Sequence, residues 1–395
     1  MNKYIDQLCA AAAKESRVIL GMMSGTSLDG LDLALCRIHH HGLQTKVELL
    51  HHRTLPYTEA QKNMIREVAF KPEAMLDKIC LLHAWVADVH AGMVIEALQD
   101  WQFPVSSVDL LASHGQTVFH APDHSGRLSN PAHSTLQMGD GDRLAVKTGI
   151  ICISDFRQKH IAAGGEGAPL AAYGDFLLFA ENDCDVLLIN IGGISNLTYI
   201  PAGRHFNRVV SGDTGPGNKI MDTYIQSLPG ERSYDKDGQL ASGGQIHDGL
   251  LAALKADPYF NRPLPKTTGP ELFNMSYLRK ALNQTACLEL PAADIMATLN
   301  RFTADTICDA VLNLPVSNKR KYMITGGGAH NHVLMKQLEK QLYGTRMDAP
   351  FSTDAKEAIL FALLANQCVA GNGTDFGDPA PNLPATGMGK ISLPA

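Results

Sequence analysis

Apolar runs broken by short polar or glycine-rich turns give the chain a recurring strand–turn–strand pattern set among helical stretches. Residues 17–23, Arg-Val-Ile-Leu-Gly-Met-Met, read as a buried strand. Ser24-Gly25-Thr26-Ser27 is a small-residue turn, and residues 31–38 alternate as a second strand. A third strand ends near Thr54. Residues 57–70 and 73–99 have helical spacing, with Leu81, Leu82, Trp85, Val86, Val89 and Met93 on one face. Another buried strand runs from Val108 to Ser113 and ends at Ser113-His114-Gly115-Gln116-Thr117. Residues 121–134 read as loop, and Gly149 to Ser154 as a strand leading into Asp155-Phe156-Arg157. The glycine-rich stretch 164–169 is the expected hinge or crossover.

The opening pattern then returns. Asp185 to Ile191 is a strand, Gly192-Gly193 a turn, and Ser195 to Ile200 a second strand. The order of elements matches the N-terminal unit while the residues do not, and pattern alone leaves duplication and coincidence evenly matched. Residues 240–315 read as mostly helical, Lys321 to Thr325 as a strand ended by Gly326-Gly327-Gly328, and 331–343 and 354–370 as helices. The tail from Gly371 reads as irregular. Strands alternating with helices in two such units predict an α/β protein of two lobes, with mixed sheets flanked by helices. Residues 1–158 with 353–395 form the expected N-terminal lobe and 159–352 the C-terminal lobe.

Composition narrows the class. A chain of 395 residues, 45% hydrophobic and 19% charged, has the length of about two domains and can bury a core. Its net charge of -6 argues against nucleic-acid binding, which calls for a basic field. A nucleotide as a small ligand stays open, since backbone amides and one metal ion can hold its phosphates. The eight cysteines are scattered without a C-x-x-C pair, which points away from zinc sites and disulfides and toward a reducing, cytoplasmic compartment. No membrane span is expected, and residues 8–13 read as a short surface helix rather than a signal peptide.

Several segments can carry chemistry, each with a plainer reading beside it. Gly25-Thr26-Ser27-Leu28-Asp29-Gly30 can offer amides and hydroxyls to phosphate oxygens, or it is an ordinary hairpin turn. It lacks the lysine of a P-loop. Asn190-Ile191-Gly192-Gly193 is a second such turn, and a pair of them could clasp a triphosphate from both lobes. Gly326-Gly327-Gly328 can let a flat ring lie on bare backbone, or only turn the chain. Asp213, before Thr214-Gly215-Pro216-Gly217-Asn218, can contact substrate or metal, or cap the following helix. Asp155 and Arg157 are a polar pair that can also be a structural ion pair. Glu357 lies in an apolar helical stretch, where a buried glutamate needs a partner or a task. His114, Gln116 and Thr117 offer neutral donors and acceptors to sugar hydroxyls, and a metal on His114 and His120 is a weak alternative without a third ligand.

In order along residues 18–370, the segments 22–30, 113–117, 155–157, 165–170, 190–193, 213–218 and 326–329 together resemble the anhydro-N-acetylmuramic acid kinases. The resemblance implies the two-lobed sugar kinase/Hsp70/actin-like (ribonuclease H-like) fold, and ATP with Mg²⁺ as cofactors. It implies phosphorylation of 1,6-anhydro-N-acetylmuramic acid at O6 while water opens the anhydro bridge, in cell-wall recycling, by a homodimer. It makes Asp213 the base and Glu357 a support for water or sugar. It places ATP phosphates on Gly25, Thr26, Ser27, Leu28, Asp29, Gly30, Leu31, Asp32, Asn190, Gly192 and Gly193, and adenosine on Gly326, Gly327 and Gly328. The sugar falls to His114, Gln116, Thr117, Arg157, Gly217 and Asn218. After Arg157 the family commonly continues with arginine and aspartate. Here Gln158-Lys159-His160 follows, so Lys159 would meet the substrate carboxylate as a point charge rather than a fork.

Overall fold

The computed structural model describes residues 2–121, 133–164, 167, 170–371 and 386–395. They divide into two compact units, Met1–Leu178 with Phe351–Ala395, and Phe179–Pro350. The first unit thus runs past the expected boundary at 158 and takes in the short helix Gln158–Ala162 and all but the last residue of the helix Leu170–Phe179.

The first unit is built on strands β1 (Ser16–Ser24), β2 (Gly30–His39), β3 (Lys46–Pro56), β4 (Leu110–Ala121), β5 (Ser134–Met138) and β6 (Cys152–Ser154). The second is built on β7 (Asp185–Ile191), β8 (Ile194–Ile200), β9 (Val210–Pro216), β10 (Arg320–Thr325) and β11 (Thr345–Arg346), and β12 (Lys390–Ser392) returns to the first. The first sheet has the order β12-β6-β4-β1-β2-β3, with β5 paired to β4. The second has β11-β10-β7-β8-β9. In each, an antiparallel meander (β1-β2-β3, β7-β8-β9) continues through a strand parallel to the first of the meander, β4 beside β1 and β10 beside β7. A further parallel strand follows in each, β6 beside β4 and β11 beside β10. The two sheets therefore repeat one topology, and the duplicated pattern of the sequence is a structural duplication.

Strand alternation lays out the first unit. Leu20 and Met22 join the core that includes Ala87, Ala91 and Val94 of the helix Leu76–Asp100. Residues of the opposite parity, Arg17 and Gly21, meet the helix Thr353–Ala370: Arg17 Nη1 donates to Asn366 Oδ1 at 3.0 Å, and a Cβ on Gly21 would fall 1.9 Å from the Ala358 carbonyl oxygen. The sheet is thus covered on both faces. The helix Leu76–Asp100 is long and apolar enough to cross a membrane by length and composition, but it supplies this core. Its expected stripe is partly redrawn. Leu82 and Val86 are buried and Trp85, Val89 and Met93 pack around Leu28 and Tyr57, whereas Leu81 points outward and is 69% exposed.

Other departures from the sequence reading share one cause, pairing partners that are distant in sequence. The 113–117 segment does not end a strand: β4 continues to Ala121 because β5 pairs with its second half. The strand expected over 149–154 shortens to β6, preceded by the helix Gly141–Thr148. Within the tail that reads as irregular, Lys390–Ser392 form β12, antiparallel to β6. Most of the expected hinge, Gly165, Glu166, Ala168 and Pro169, lies outside the described residues. All eight cysteines are free thiols.

Candidate active site

In the second unit three distant segments meet at the β7–β8 turn. The chain leaving β9 folds onto that turn: the Gly217 amide donates to Gly193 O at 3.0 Å, Asn218 N to Gly192 O at 2.8 Å, and Lys219 N to Gly193 O at 3.1 Å. Asn218 Nδ2 donates to Ile191 O at 3.2 Å. The contact is close enough to demand glycine, since a Cβ on Gly217 would lie 2.2 Å from Gly192 O. The 326–328 turn packs on the same hairpin, where a Cβ on Gly326 or Gly328 would lie 2.6 Å from Ile191 O or 2.3 Å from Ile191 Cγ2. Asn190, Gly192, Gly193, Gly217, Asn218 and Gly326 to Gly328 therefore form one surface. With the Gly192 and Gly193 carbonyls turned into the fold, their amides have no acceptor among the described residues. Such amides suit phosphate oxygens. Of the three consecutive glycines only Gly327 is exposed, so the other two serve packing.

Asp213 lies within β9, opposite Asn196, and caps no helix; the following helix Lys219–Gln226 begins after Asn218. Its backbone is held on both sides, N–H donating to Lys266 O at 2.8 Å and Tyr259 Oη donating to its carbonyl at 2.7 Å. Its carboxylate Oδ2 accepts from Thr268 N at 2.9 Å. The carboxylate is half-buried, and burial raises its pKa; Thr268 N–H opposes this and the Glu271 charge adds to it. A positioned carboxylate of raised pKa, still open to solvent, is suited to accept a proton. Thr268 and Tyr259 carry no local motif linking them to Asp213, and only the fold reveals them.

In the first unit the β1–β2 turn repeats the arrangement. Gly25 is half-buried, Thr26, Ser27 and Asp29 are exposed, and the Gly25, Thr26 and Ser27 amides have no acceptor among the described residues. Leu28 and Leu31 are buried, so their side chains serve the core and only their backbone can face a ligand. Gly30 is explained by packing, because a Cβ there would lie 2.1 Å from Leu55 O. Asp32 Oδ1 accepts from Thr54 Oγ1 at 2.5 Å.

The sugar-binding expectations change most. Gln116 is buried, and both ends of its amide are committed within the fold, so it is not a ligand for sugar hydroxyls. His114 is also buried: Nδ1 lies 3.0 Å from Gly115 O, and Nε2 accepts from Arg157 Nε and Nη2, both at 3.2 Å. Neither ring nitrogen has a lone pair for metal or sugar, and the ring instead holds Arg157. Arg157 Nη1 also donates to Gly167 O at 2.9 Å; burial lowers its pKa to about 10 while the Glu357 charge raises it. Two of its five N–H groups have no acceptor among the described residues. Asp155 does not pair with it but with Lys390 Nζ, at 2.5 Å. Thr117 is half-buried in β4, and Lys159 is exposed. Glu357 is not the buried glutamate of the sequence reading: it is exposed near the N-terminal end of its helix, just before the buried stretch 358–367, and its charge acts on Arg157.

Burial holds two imidazoles neutral, with His90 pushed down to about 4 and His114 to about 3, the latter helped by the Arg157 charge. Unfolded histidines take up protons below their ordinary 6.5 while these two do not. Stability is therefore full above that value and falls as the pH drops toward the folded pKa, by about 1.4 kcal/mol per pH unit per histidine. Denaturant midpoints between pH 7 and 5 should fall accordingly, and a His114→Gln protein should show a shallower fall; equal slopes would contradict this account.

A sheet topology used twice, with an open-amide hairpin turn in each copy, defines a protein of the sugar kinase/Hsp70/actin-like fold class. The family model described as anhydro-N-acetylmuramic acid kinase matches residues 17–387. Anhydro-N-acetylmuramic acid kinase of Pseudoalteromonas atlantica is 45% identical, over the whole of both chains. That of Caldanaerobacter subterraneus subsp. tengcongensis is 36% identical over 98% of this chain and 100% of the relative, and that of Clostridioides difficile 39% over 88% and 91%. The chain belongs to the anhydro-N-acetylmuramic acid kinase family and is a kinase.

Proposed function

We propose that the protein uses ATP to phosphorylate O6 of 1,6-anhydro-N-acetylmuramic acid while water opens the anhydro bridge, giving N-acetylmuramic acid 6-phosphate. The observation that carries this reading is Asp213, a half-buried carboxylate of raised pKa fixed by Thr268 N–H. A kinase that transferred phosphate to a free hydroxyl would need a base only for that hydroxyl. Here O6 is an ether oxygen and the group to be deprotonated is water. As water attacks C1 its proton passes to Asp213, the C1–O6 bond breaks, and the electron pair left on O6 attacks the γ-phosphorus of ATP, with ADP as the leaving group.

The open amides of Gly25 to Ser27 and of Gly192 and Gly193 fit phosphate oxygens. Asp29 and Asp32 are the carboxylates that would hold Mg²⁺, which usually takes one or two carboxylates plus phosphates and water. When bound, Mg²⁺ neutralises charge on the phosphates. Gly327 and its neighbours offer a bare surface to adenosine. Arg157, with two N–H groups unclaimed among the described residues, and the exposed Lys159 fit the carboxylate of the sugar. Such an enzyme serves cell-wall recycling in the cytoplasm, to which the free cysteines conform, and the resemblance makes it a homodimer.

The test is ADP release with and without the anhydro sugar, in ¹⁸O-labelled water. ADP should appear only with sugar, and the label should be at C1. Equal ADP release without sugar, or label in the phosphate, would overturn the proposal.

A further inference from the structure

Beneath the β1–β2 turn runs a buried line of polar side chains that the chemistry above does not use. Ser24, Tyr57, His90 and Gln116 come from β1, the segment after β3, the helix Leu76–Asp100 and β4, and each is at most 4% exposed. His90 Nε2 is 2.6 Å from Tyr57 Oη, Tyr57 Oη is 2.9 Å from Ser24 Oγ, and Ser24 Oγ is 2.6 Å from Gln116 Oε1. Gln116 Nε2 donates to Gly25 O at 3.0 Å and to Thr117 O at 3.1 Å.

Proton counting gives this line one direction. Two carbonyl acceptors fix the Gln116 amide nitrogen and so its oxygen, which accepts the single Ser24 proton. Ser24 Oγ also lies 3.0 Å from Gly30 O, but sending its proton there would leave two bare oxygens 2.6 Å apart. Ser24 therefore accepts from Tyr57, whose one proton is then spent, and His90 must donate from Nε2. That tautomer leaves Nδ1 without a hydrogen, and His90 Nδ1 is a buried atom with no partner among the described residues. The opposite tautomer would bury an unsatisfied donor and leave no proton between Tyr57 and Ser24. Burial, which keeps His90 uncharged, maintains this order.

The line ends on the turn itself. Gln116 pulls the Gly25 carbonyl inward on one limb, and the Tyr57 backbone N–H donates to Asp29 O at 3.0 Å on the other. With these carbonyls turned in, the Gly25 to Ser27 amides are left without acceptors among the described residues. We infer that the His90–Tyr57–Ser24–Gln116 chain sets the β1–β2 turn in the conformation that receives nucleotide phosphate, and that Tyr57 and His90 are positioning residues for ATP. The inference rests on the reading of that turn as a phosphate site.

Four variants of the full chain test it. Tyr57→Phe keeps the ring and removes the link, and His90→Leu removes the donor. His90→Gln keeps a donor near the Nε2 position. Gly25→Val tests the underlying reading, since a Cβ there meets only Met23 Cε, at 3.8 Å. Tyr57→Phe and His90→Leu should raise the KM for ATP roughly tenfold, the scale of one buried hydrogen bond, with kcat and the KM for sugar nearly unchanged. His90→Gln should restore the KM, and Gly25→Val should abolish nucleotide binding in a folded protein. Unchanged nucleotide affinity in Gly25→Val would reject the phosphate turn. Loss there together with a wild-type KM in Tyr57→Phe would reject the positioning role alone. So would an equal fall of kcat and both affinities that His90→Gln does not restore, the mark of a merely structural network. If His90→Leu fails to fold, Tyr57→Phe decides.

Discussion

Asp213→Asn should bind ATP and sugar normally and turn over about 10²–10⁴-fold more slowly, the usual scale for loss of a general base. Asparagine keeps an oxygen that can accept from Thr268 N–H, so β9 and its contacts with Tyr259 and Lys266 should survive. What it lacks is basicity. On the proposed mechanism ring opening and phosphorylation should fall together, because O6 would acquire its electron pair only as C1–O6 breaks. The sequence left open that Asp213 merely caps a helix, a role asparagine would fill equally well; its place inside β9 removes that reading. The wild-type pH profile supplies a second check. Burial and Glu271 raise the Asp213 pKa above its ordinary 3.8, and the base must be deprotonated to act. Activity should thus rise with pH through an acid limb above that value, and Glu271→Gln should move the limb to lower pH. A near-wild-type rate for Asp213→Asn would reject the base role, and an acid limb unmoved by Glu271→Gln would reject the assignment of the limb to Asp213.

What the sequence disclosed and what it hid divide along a physical line. Local patterns disclosed local structure. The alternation in 31–38 and the apolar run 185–191 are strands β2 and β7, with the glycine turns between strands where expected. Contacts across long sequence separation were hidden. Nothing near Asp213 announces Thr268, and nothing near Ser113-His114-Gly115-Gln116-Thr117 announces β5, which extends β4 and carries the segment into the sheet. That extension explains the misreading of His114 and Gln116. A polar residue at a strand end would face solvent, but inside a covered sheet it must find partners, and these two find Arg157 and Ser24. Glu357 failed in the opposite sense: its apolar neighbours suggested burial, and the helix is buried all round over 358–367, but the glutamate precedes that stretch, near the exposed N-terminal end. Glycines were legible as motifs but not as roles, since the sequence cannot distinguish one that makes room for a ligand from one that makes room for the neighbouring chain.

That distinction yields the second large effect. Gly192 and Gly217 touch across the β7–β8 turn, yet valine should do different damage at each. At Gly192 the nearest atom to an added Cβ is Ile194 O at 3.4 Å, an ordinary contact, and the backbone is not left-handed. The empty fold should accept Gly192→Val with little loss of stability. The added methyl groups would then occupy the space over the unclaimed Gly192 and Gly193 amides, where phosphate is proposed to bind. Overpacking a close contact costs about 1–3 kcal/mol, so ATP and ADP affinity should fall roughly 10–100-fold. At Gly217 the Cβ would fall 2.2 Å from Gly192 O, and the clash exists without any ligand. Gly217→Val should therefore lower the thermal midpoint first and nucleotide binding only as a consequence. Calorimetric titration with ADP beside a thermal melt separates the two. A Gly192→Val protein that melts like wild type and binds ADP with undiminished affinity would remove the β7–β8 turn from the nucleotide site, because nothing else at that position would explain why the space is kept open.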